Sequence, residues 1–302
     1  MIKNIIKGLI STVVLCLIFY SIDFELLKNT RFDISLSATF LILILLITSL
    51  FIRSYRWSVL MNDRKMLVNQ LESFKLLLVG SSLNIFLPSG TGDIAKSYYG
   101  YKWTGIKERM VAVSLLDKLI AVGCILFITP FAFYFSKNYL IILAGVFSII
   151  PFIFIYNYAF LNKYKLFNIP FNFLSKKLKK INLELLVTHF KTRKLKIAVA
   201  FLISILGWVI TYIIFFFCLK TLNLNIEFHK VLAFIPFLVL GRLFPFTLNG
   251  IGTDEALIIF LFSSAESQNE PLLLAALLFR IIVMFIPAMV GLFYVNKNYS
   301  NK

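Results

Sequence analysis

The chain has 302 residues, of which 60% are hydrophobic, and a formal net charge of +17. An ordinary globular domain is nearer ~45–50% apolar, and several apolar runs here reach the ~20 residues needed to cross a ~30 Å hydrocarbon core, so the composition excludes a soluble fold and indicates an all-α polytopic membrane protein. The lysines cluster between apolar runs, as the positive-inside rule expects, and no recognition motif accompanies them, so the charge does not indicate nucleic acid.

The first apolar run, roughly 5–22, follows Lys3 and Lys7. It lacks a small-residue cleavage pattern and is expected to remain as an uncleaved first span. Further spans are expected at roughly 36–57, 109–134, 138–160, 197–219 and 272–295, giving about six. Two apolar segments are too short or too broken to be ordinary spans. The first, 76–87, stops at Pro88; the second, 231–246, is interrupted and resumes as a short run at 256–265. Runs of ~10–14 residues are more often re-entrant or interfacial than spanning.

Charge sets the expected topology. Segment 161–196 carries ten lysines and arginines, from Lys163 to Lys196, against Glu184 alone. It is expected in the cytoplasm, as is the link bearing Arg53, Arg56, Arg64, Lys65 and Lys75. An even number of crossings must separate the two. A spanning 76–87 would make that number odd, so this segment is expected to dip in from the cytoplasm and return near Pro88. In the second half, the break 247-TLNGIGTDE-255 favours a second hairpin over two short spans, although charge does not decide it. Both termini are then cytoplasmic. The chain reads as one integral membrane domain, with a first half (5–160), a basic loop (161–196) and a second half (197–302). Within the loop, Leu174, Leu178, Ile181 and Leu185 recur at helical spacing among lysines, the pattern of a basic amphipathic helix suited to an anionic membrane surface.

The two breaks resemble one another: 90-GTGD-93 follows Pro88, and 250-GIGTDE-255 follows Pro245. This is a weak signal of an inverted repeat. Irregular backbone at membrane depth is tolerated only where protein buries it or water reaches it, and transporters built from inverted repeats place their substrate between such broken helices.

Ions cost at least ~2.5–3.5 kcal/mol at the centre of a bilayer, so charged residues at the breaks are the candidates for function. Around the first break these are Asn84, Pro88, Gly92, Asp93 and Lys96; around the second, Arg242, Gly250, Gly252, Asp254 and Glu255. Arg280, inside the last apolar run, needs a counter-charge or a phosphate, and Glu255 or Asp93 would serve. Asp117 and Lys118 are expected either to satisfy each other or to snorkel. In 250-GIGTDEA-256 the loop precedes a helix, whose free N–H groups attract anions; Arg242 and Arg280 would add bidentate contacts. The plain alternative is that prolines and glycines merely break helices and the charges hold the fold, with Asp254 and Glu255 complementing a helix dipole.

Other chemistries find little support. There is no GxSxG, Walker lysine or paired histidine. Cys16, Cys124 and Cys218 are far apart within apolar runs and read as buried small hydrophobes. His189 and His229 have no metal-ligand spacing. No metal and no cofactor is expected.

The elements 53-RSYRW-57, 84-NIFLPSGTGDIAK-96, Asp117-Lys118, 245-PFTLNGIGTDEA-256, and Ala276 to Arg280 with Pro287 and Gly291 together resemble the flippase-like membrane region of the lysylphosphatidylglycerol synthases and its stand-alone relatives. The resemblance covers nearly the whole chain. It implies a bacterial or archaeal inner-membrane protein that handles lipids: an anionic or aminoacylated phospholipid, or a polyprenyl-linked sugar where relatives accompany glycosyltransferases. Its expected partners are membrane lipids and a separate lipid synthase or glycosyltransferase. Aminoacyl transfer belongs to a soluble synthase domain and is not expected of this chain. Ser89, Asp93 and Lys96 stand where relatives often place Arg, Glu and Arg, and Lys is not equivalent to Arg at a bidentate phosphate site. Two further functions stay open: an enzyme acting on a lipid-linked substrate through Asp93 or Glu255, and a non-catalytic membrane partner of a separate synthase or glycosyltransferase.

Overall fold

The computed structural model describes residues 35–62, 67–86, 92–104, 107–136, 193–243, 247, 250–263 and 269–296, with isolated helical positions at Thr12, Cys16, Tyr20 and Glu25. Among the described residues the regular structure is entirely helical. In chain order the helices are α1 (Leu36–Met61), α2 (Gln70–Phe86), α3 (Gly92–Thr104), α4 (Lys107–Ser136), α5 (Lys194–Lys220), α6 (Phe228–Leu243), α7 (Thr253–Phe262) and α8. The last runs from Asn269–Arg280 through a π-turn, Ile281–Phe285, into Ile286–Asn296.

Three of these are long and apolar enough to cross a membrane: Leu36–Met61, Lys194–Lys220 and Asn269–Val295. The 30-residue α4 covers the span expected at 109–134. The spans expected at 138–160 and, but for the isolated positions, 5–22 lie outside the described residues, as does the amphipathic segment of the basic loop. The expected number of about six spans is therefore not supported; the all-helical membrane class is.

α1 shows why these sequences suit lipid. Ser35 caps its start, with Oγ accepting the Ala38 N–H at 3.1 Å, and Asn62 ends it by donating its backbone N–H to the Ser58 carbonyl at 2.8 Å. Phe40, Ile44, Ile47 and Phe51 recur at helical spacing and are exposed, while Ser49, Ser54, Arg56 and Ser58 are buried. In water that would be inside out. In hydrocarbon the apolar stripe costs nothing, and the polar side chains must find partners within the protein. The serines do so locally: Ser49, Ser54 and Ser58 donate to carbonyls one turn back, at 2.8–3.0 Å.

The first broken segment forms a tight antiparallel pair. A Cβ placed on Gly92 would stand 2.7 Å from Asn84 Oδ1, one on Gly80 would stand 3.1 Å from Lys96 Cδ, and one on Gly100 would stand 3.4 Å from Leu76 Cδ1. Residues 76, 80 and 84 thus descend one helix as 100, 96 and 92 descend the other, about a centre at position 88. Glycine permits this approach because it has no Cβ. α2 is longer than the apolar run 76–87 because Gln70 anchors its start on α1, with Nε2 donating to Ser54 Oγ at 2.8 Å and Oε1 accepting from Ser58 Oγ at 3.1 Å.

The halves pack reciprocally. α1 lies against α5, antiparallel: Arg56 meets Ser204, and further along Lys196 Nζ donates to the Asn62 carbonyl. α2 packs on the last part of α8, where Ser82 Oγ donates to the Ala288 carbonyl at 2.6 Å, and α6 packs on α4. The core between them is aromatic at its centre, with Phe215 against Phe279 and Phe262 at ring separations of 5.1 and 5.6 Å. Cys124 and Cys218 are buried as expected of small hydrophobes, whereas Cys16 is exposed, a correction to that reading.

Candidate functional site

Each broken segment is followed by a helix whose first turns carry acids, and each set of acids sits within a buried ionic cluster. The two clusters are built differently.

The second-half cluster is centred on Arg280. Gly250 and Gly252 turn the chain with φ of 77° and 88°, a region in which a Cβ is strained. This tight loop places Gly252 as the N-cap of α7 and Asp254 and Glu255 in its first turn. Glu255 Oε2 accepts the Gly252 N–H at 2.8 Å, the return half of a capping box. The same carboxylate receives Arg280 in a fork, Nε to Oε1 at 2.6 Å and Nη2 to Oε2 at 3.0 Å. Nη2 also donates to Asp254 Oδ2 at 3.0 Å and to the Gly250 carbonyl at 2.8 Å. Nη1 faces Met284 Sδ at 3.8 Å. The arginine is thus engaged by α7 and its loop. The sequence offered it to a phosphate or a counter-charge; the structure supplies the counter-charge from Glu255 and Asp254 together.

The π-turn begins directly after Arg280 and ends two residues before Pro287. Proline has no N–H to donate and its ring crowds the preceding turn. Widening that turn relieves the crowding, and the Ile286 N–H reaches back to the Ile281 carbonyl.

The first-half cluster is centred on Asp117 of α4, 5% exposed. Arg56 of α1 donates Nε to Asp117 Oδ1 at 2.6 Å and Nη1 to Ser204 Oγ of α5 at 2.7 Å. Lys96 of α3, 2% exposed, places Nζ 3.7 Å from Asp117 Oδ2 and 5.9 Å from the Trp57 ring centre. Asp93, one helical turn earlier, is half-buried and within electrostatic range of Arg53. Asn84 backs onto Gly92, and its Oδ1 is buried without a hydrogen bond among the described residues.

Most of the candidates therefore gather into these two clusters. Asn84, Gly92, Asp93, Lys96 and Asp117 gather with the first, and Gly250, Gly252, Asp254, Glu255 and Arg280 with the second. Asp117 takes Arg56 and Lys96 as its partners; the alternative pairing with Lys118 is disfavoured on a helix, where adjacent residues point ~100° apart. Lys118 is within electrostatic range of Asp93 and Lys96. Pro88 and the side chain of Arg242 lie outside the described residues; the Arg242 backbone is in the last turn of α6. The sequence reading missed Arg56, Trp57 and Ser204 as site residues. It counted Arg53 and Arg56 as loop charges, although the spacing 53-RSYRW-57 puts both arginines on one face of a helix continuing from the apolar run.

The motifs carrying these clusters fall within one family. A profile of the lysylphosphatidylglycerol synthase TM region matches residues 4–291. The chain belongs to this family. Comparison with curated proteins and with solved structures gave no significant match. Membership in the lysylphosphatidylglycerol synthase TM family, with the apolar helices described above, makes this a membrane protein related to lipid modification or translocation. The match takes in both broken segments, so both ionic clusters lie within the family region.

Proposed function

We propose that this protein translocates membrane lipids by holding their headgroups in a polar groove between two broken helical elements, while the acyl tails stay in the bilayer. The observation that carries this is the burial of two ionic clusters, each including a charged residue of the helix that follows a break, in a chain whose outer faces are apolar. Isolated apolar packing would need neither cluster, and intramembrane ions mark substrate paths by default.

The reciprocal packing of α2 on α8 and α6 on α4, about antiparallel α1 and α5, supports an inverted repeat. A two-fold axis in the membrane plane makes corresponding helices antiparallel. Rocking of one half on the other would then expose the groove alternately to each leaflet. On this reading α2 and α3 form a re-entrant hairpin from the cytoplasmic side, the chain is multi-pass in a bacterial or archaeal cytoplasmic membrane, and both termini are cytoplasmic. The cargo is an anionic or aminoacylated phospholipid or a polyprenyl-linked lipid, supplied by a separate synthase or glycosyltransferase.

The test is reconstitution of purified protein into liposomes, with exposure of fluorescent phosphatidylglycerol, lysyl-phosphatidylglycerol and undecaprenyl-phosphate analogues as the readout. Transbilayer movement is expected for one of them, and its loss in Asp93→Asn. Folded protein that moves none of the three would overturn the assignment of these cargoes.

A further inference from the structure

The two clusters differ in what they leave unused. Arg280 spends its fork on Glu255, Asp254 and the Gly250 carbonyl. In the first cluster, among the described residues, the carboxylates in electrostatic range of Arg53, Arg56 and Lys96 are Asp93 and Asp117. The donors are under-used as well. Arg56 Nη2 makes no hydrogen bond among the described residues, its Nε and Nη1 being taken by Asp117 and Ser204. The guanidinium of the half-buried Arg53 likewise makes none among the described residues. The Lys96 ammonium, nearly wholly buried, reaches its nearest carboxylate oxygen at 3.7 Å, beyond hydrogen-bond distance.

A surplus of buried positive charge is costly unless an anion compensates it. Unused guanidinium and ammonium donors around one place are also what a tetrahedral oxyanion requires: planar forks for bidentate contact and a point charge beside them. The Trp57 ring walls the site beneath Lys96 and lowers the local dielectric.

We propose that Arg53, Arg56 and Lys96 form a binding site for a phosphate-class anion, either the phosphodiester of a lipid headgroup or free phosphate. Asp117 is the internal counter-ion that aims Arg56, and Arg53, the most open of the three, closes on the bound group. The Arg280 cluster is the closed fastening of the second half and does not bind the phosphate. This deepens the translocation reading and rests on it for the lipid as source.

The test uses the full chain in neutral detergent micelles, titrated calorimetrically with dihexanoyl-phosphatidylglycerol, inorganic phosphate and dihexanoylglycerol. Wild type is expected to bind the phosphatidylglycerol and not the dihexanoylglycerol. Lys96→Ala and Arg53→Gln should each weaken binding by about tenfold or more, and Lys96→Arg by less. Arg53 is less buried than Lys96, so Arg53→Gln probes the site even where Lys96→Ala does not fold. Phosphate that displaces the lipid identifies free phosphate as a ligand; lipid binding that phosphate does not disturb identifies the headgroup as the source. Equal binding of dihexanoylglycerol, no binding of either phosphate-bearing probe, or unchanged affinity in folded Arg53→Gln overturns the proposal. The assay needs no bilayer, so a protein that binds the lipid but does not move it keeps the anion site and loses only the translocation reading. Movement in liposomes without phosphate-dependent binding does the reverse.

Discussion

Arg280 and Glu255 are joined fork to fork, at 2.6 and 3.0 Å, and both are almost completely buried. Such a pair is weak evidence of net stabilisation, because both ions lose water, but removing one partner is expensive. Glu255 also holds the Gly252 N–H, so the pair ties the start of α7 to the middle of α8.

Arg280→Met leaves Asp254 and Glu255 as neighbouring buried carboxylates. It should destabilise the protein by about 3–5 kcal/mol. Arg280→Lys keeps the charge but not the fork, and should cost less. Unfolding in mixed detergent micelles measures both; equal losses for the two variants would show that fork geometry contributes nothing.

The glycines give a comparison of sign. A Cβ on Gly291 would overlap the Leu78 carbonyl and Ser82 Oγ, where α8 lies on α2. Gly291→Ala must force these helices apart and should cost about 1–3 kcal/mol. At Gly207 the nearest neighbour is Ile52 Cγ2 at 3.5 Å, an ordinary contact. Gly207→Ala should be neutral or stabilising by up to about 1 kcal/mol, because alanine favours a helix interior. The same unfolding assay decides it, and a stabilised Gly291→Ala would contradict the close packing of α2 on α8.

Asp117 is expected to matter more than Ser204, although Arg56 donates to both. Asp117→Asn leaves Arg56 and Lys96 buried beside one another without their shared anion, for about 3–5 kcal/mol. Ser204→Ala removes one neutral acceptor, for about 0.5–1.5 kcal/mol. Added phosphatidylglycerol should recover part of the Asp117→Asn loss, because a bound anion takes over the charge that Asp117 supplied to Arg56 and Lys96; a greater lipid-induced rise in melting temperature than in wild type is the expected signature.

The π-turn carries a register prediction. A π-turn holds one residue more than the α-turn it replaces. Deleting Val283 should convert it to α-helix and keep both the Arg280 clasp and the Gly291 contact in phase. Deleting Leu277, in regular helix, should rotate 269–276 by ~100° relative to Arg280 and Gly291 and turn the buried Leu272 and Leu273 out of the core. The Val283 deletion should yield folded protein by size-exclusion chromatography and the Leu277 deletion aggregate; the opposite order would refute the register argument.

Much of the fold was legible because lipid simplifies the code. The apolar runs 36–57, 197–219 and 272–295 announced α1, α5 and α8 by length alone. Pro88 with Gly92, and Gly250 with Gly252, announced the breaks, since few residues other than glycine tolerate the φ seen at 250 and 252. Residue type also singled out Arg280 and Glu255. Arg56 was not legible as a site residue, because near the end of an apolar run an arginine that snorkels and one that turns inward look alike.

What the sequence determined by itself was the solvent, the helices and the places where they stop, all of which depend on local hydropathy and backbone freedom. What only the tertiary structure decided was the partnering of charges. Asp117 stands next to Lys118 in the chain, yet it is met by Arg56 from 61 residues away and by Lys96 from the preceding helix, with Arg56 held in turn by Ser204 of the other half. Each ion in a low-dielectric interior needs a counter-charge, but which one it receives depends on which helix faces pack together. That packing is set here by glycines at close crossings and by the reciprocal contacts of the two halves.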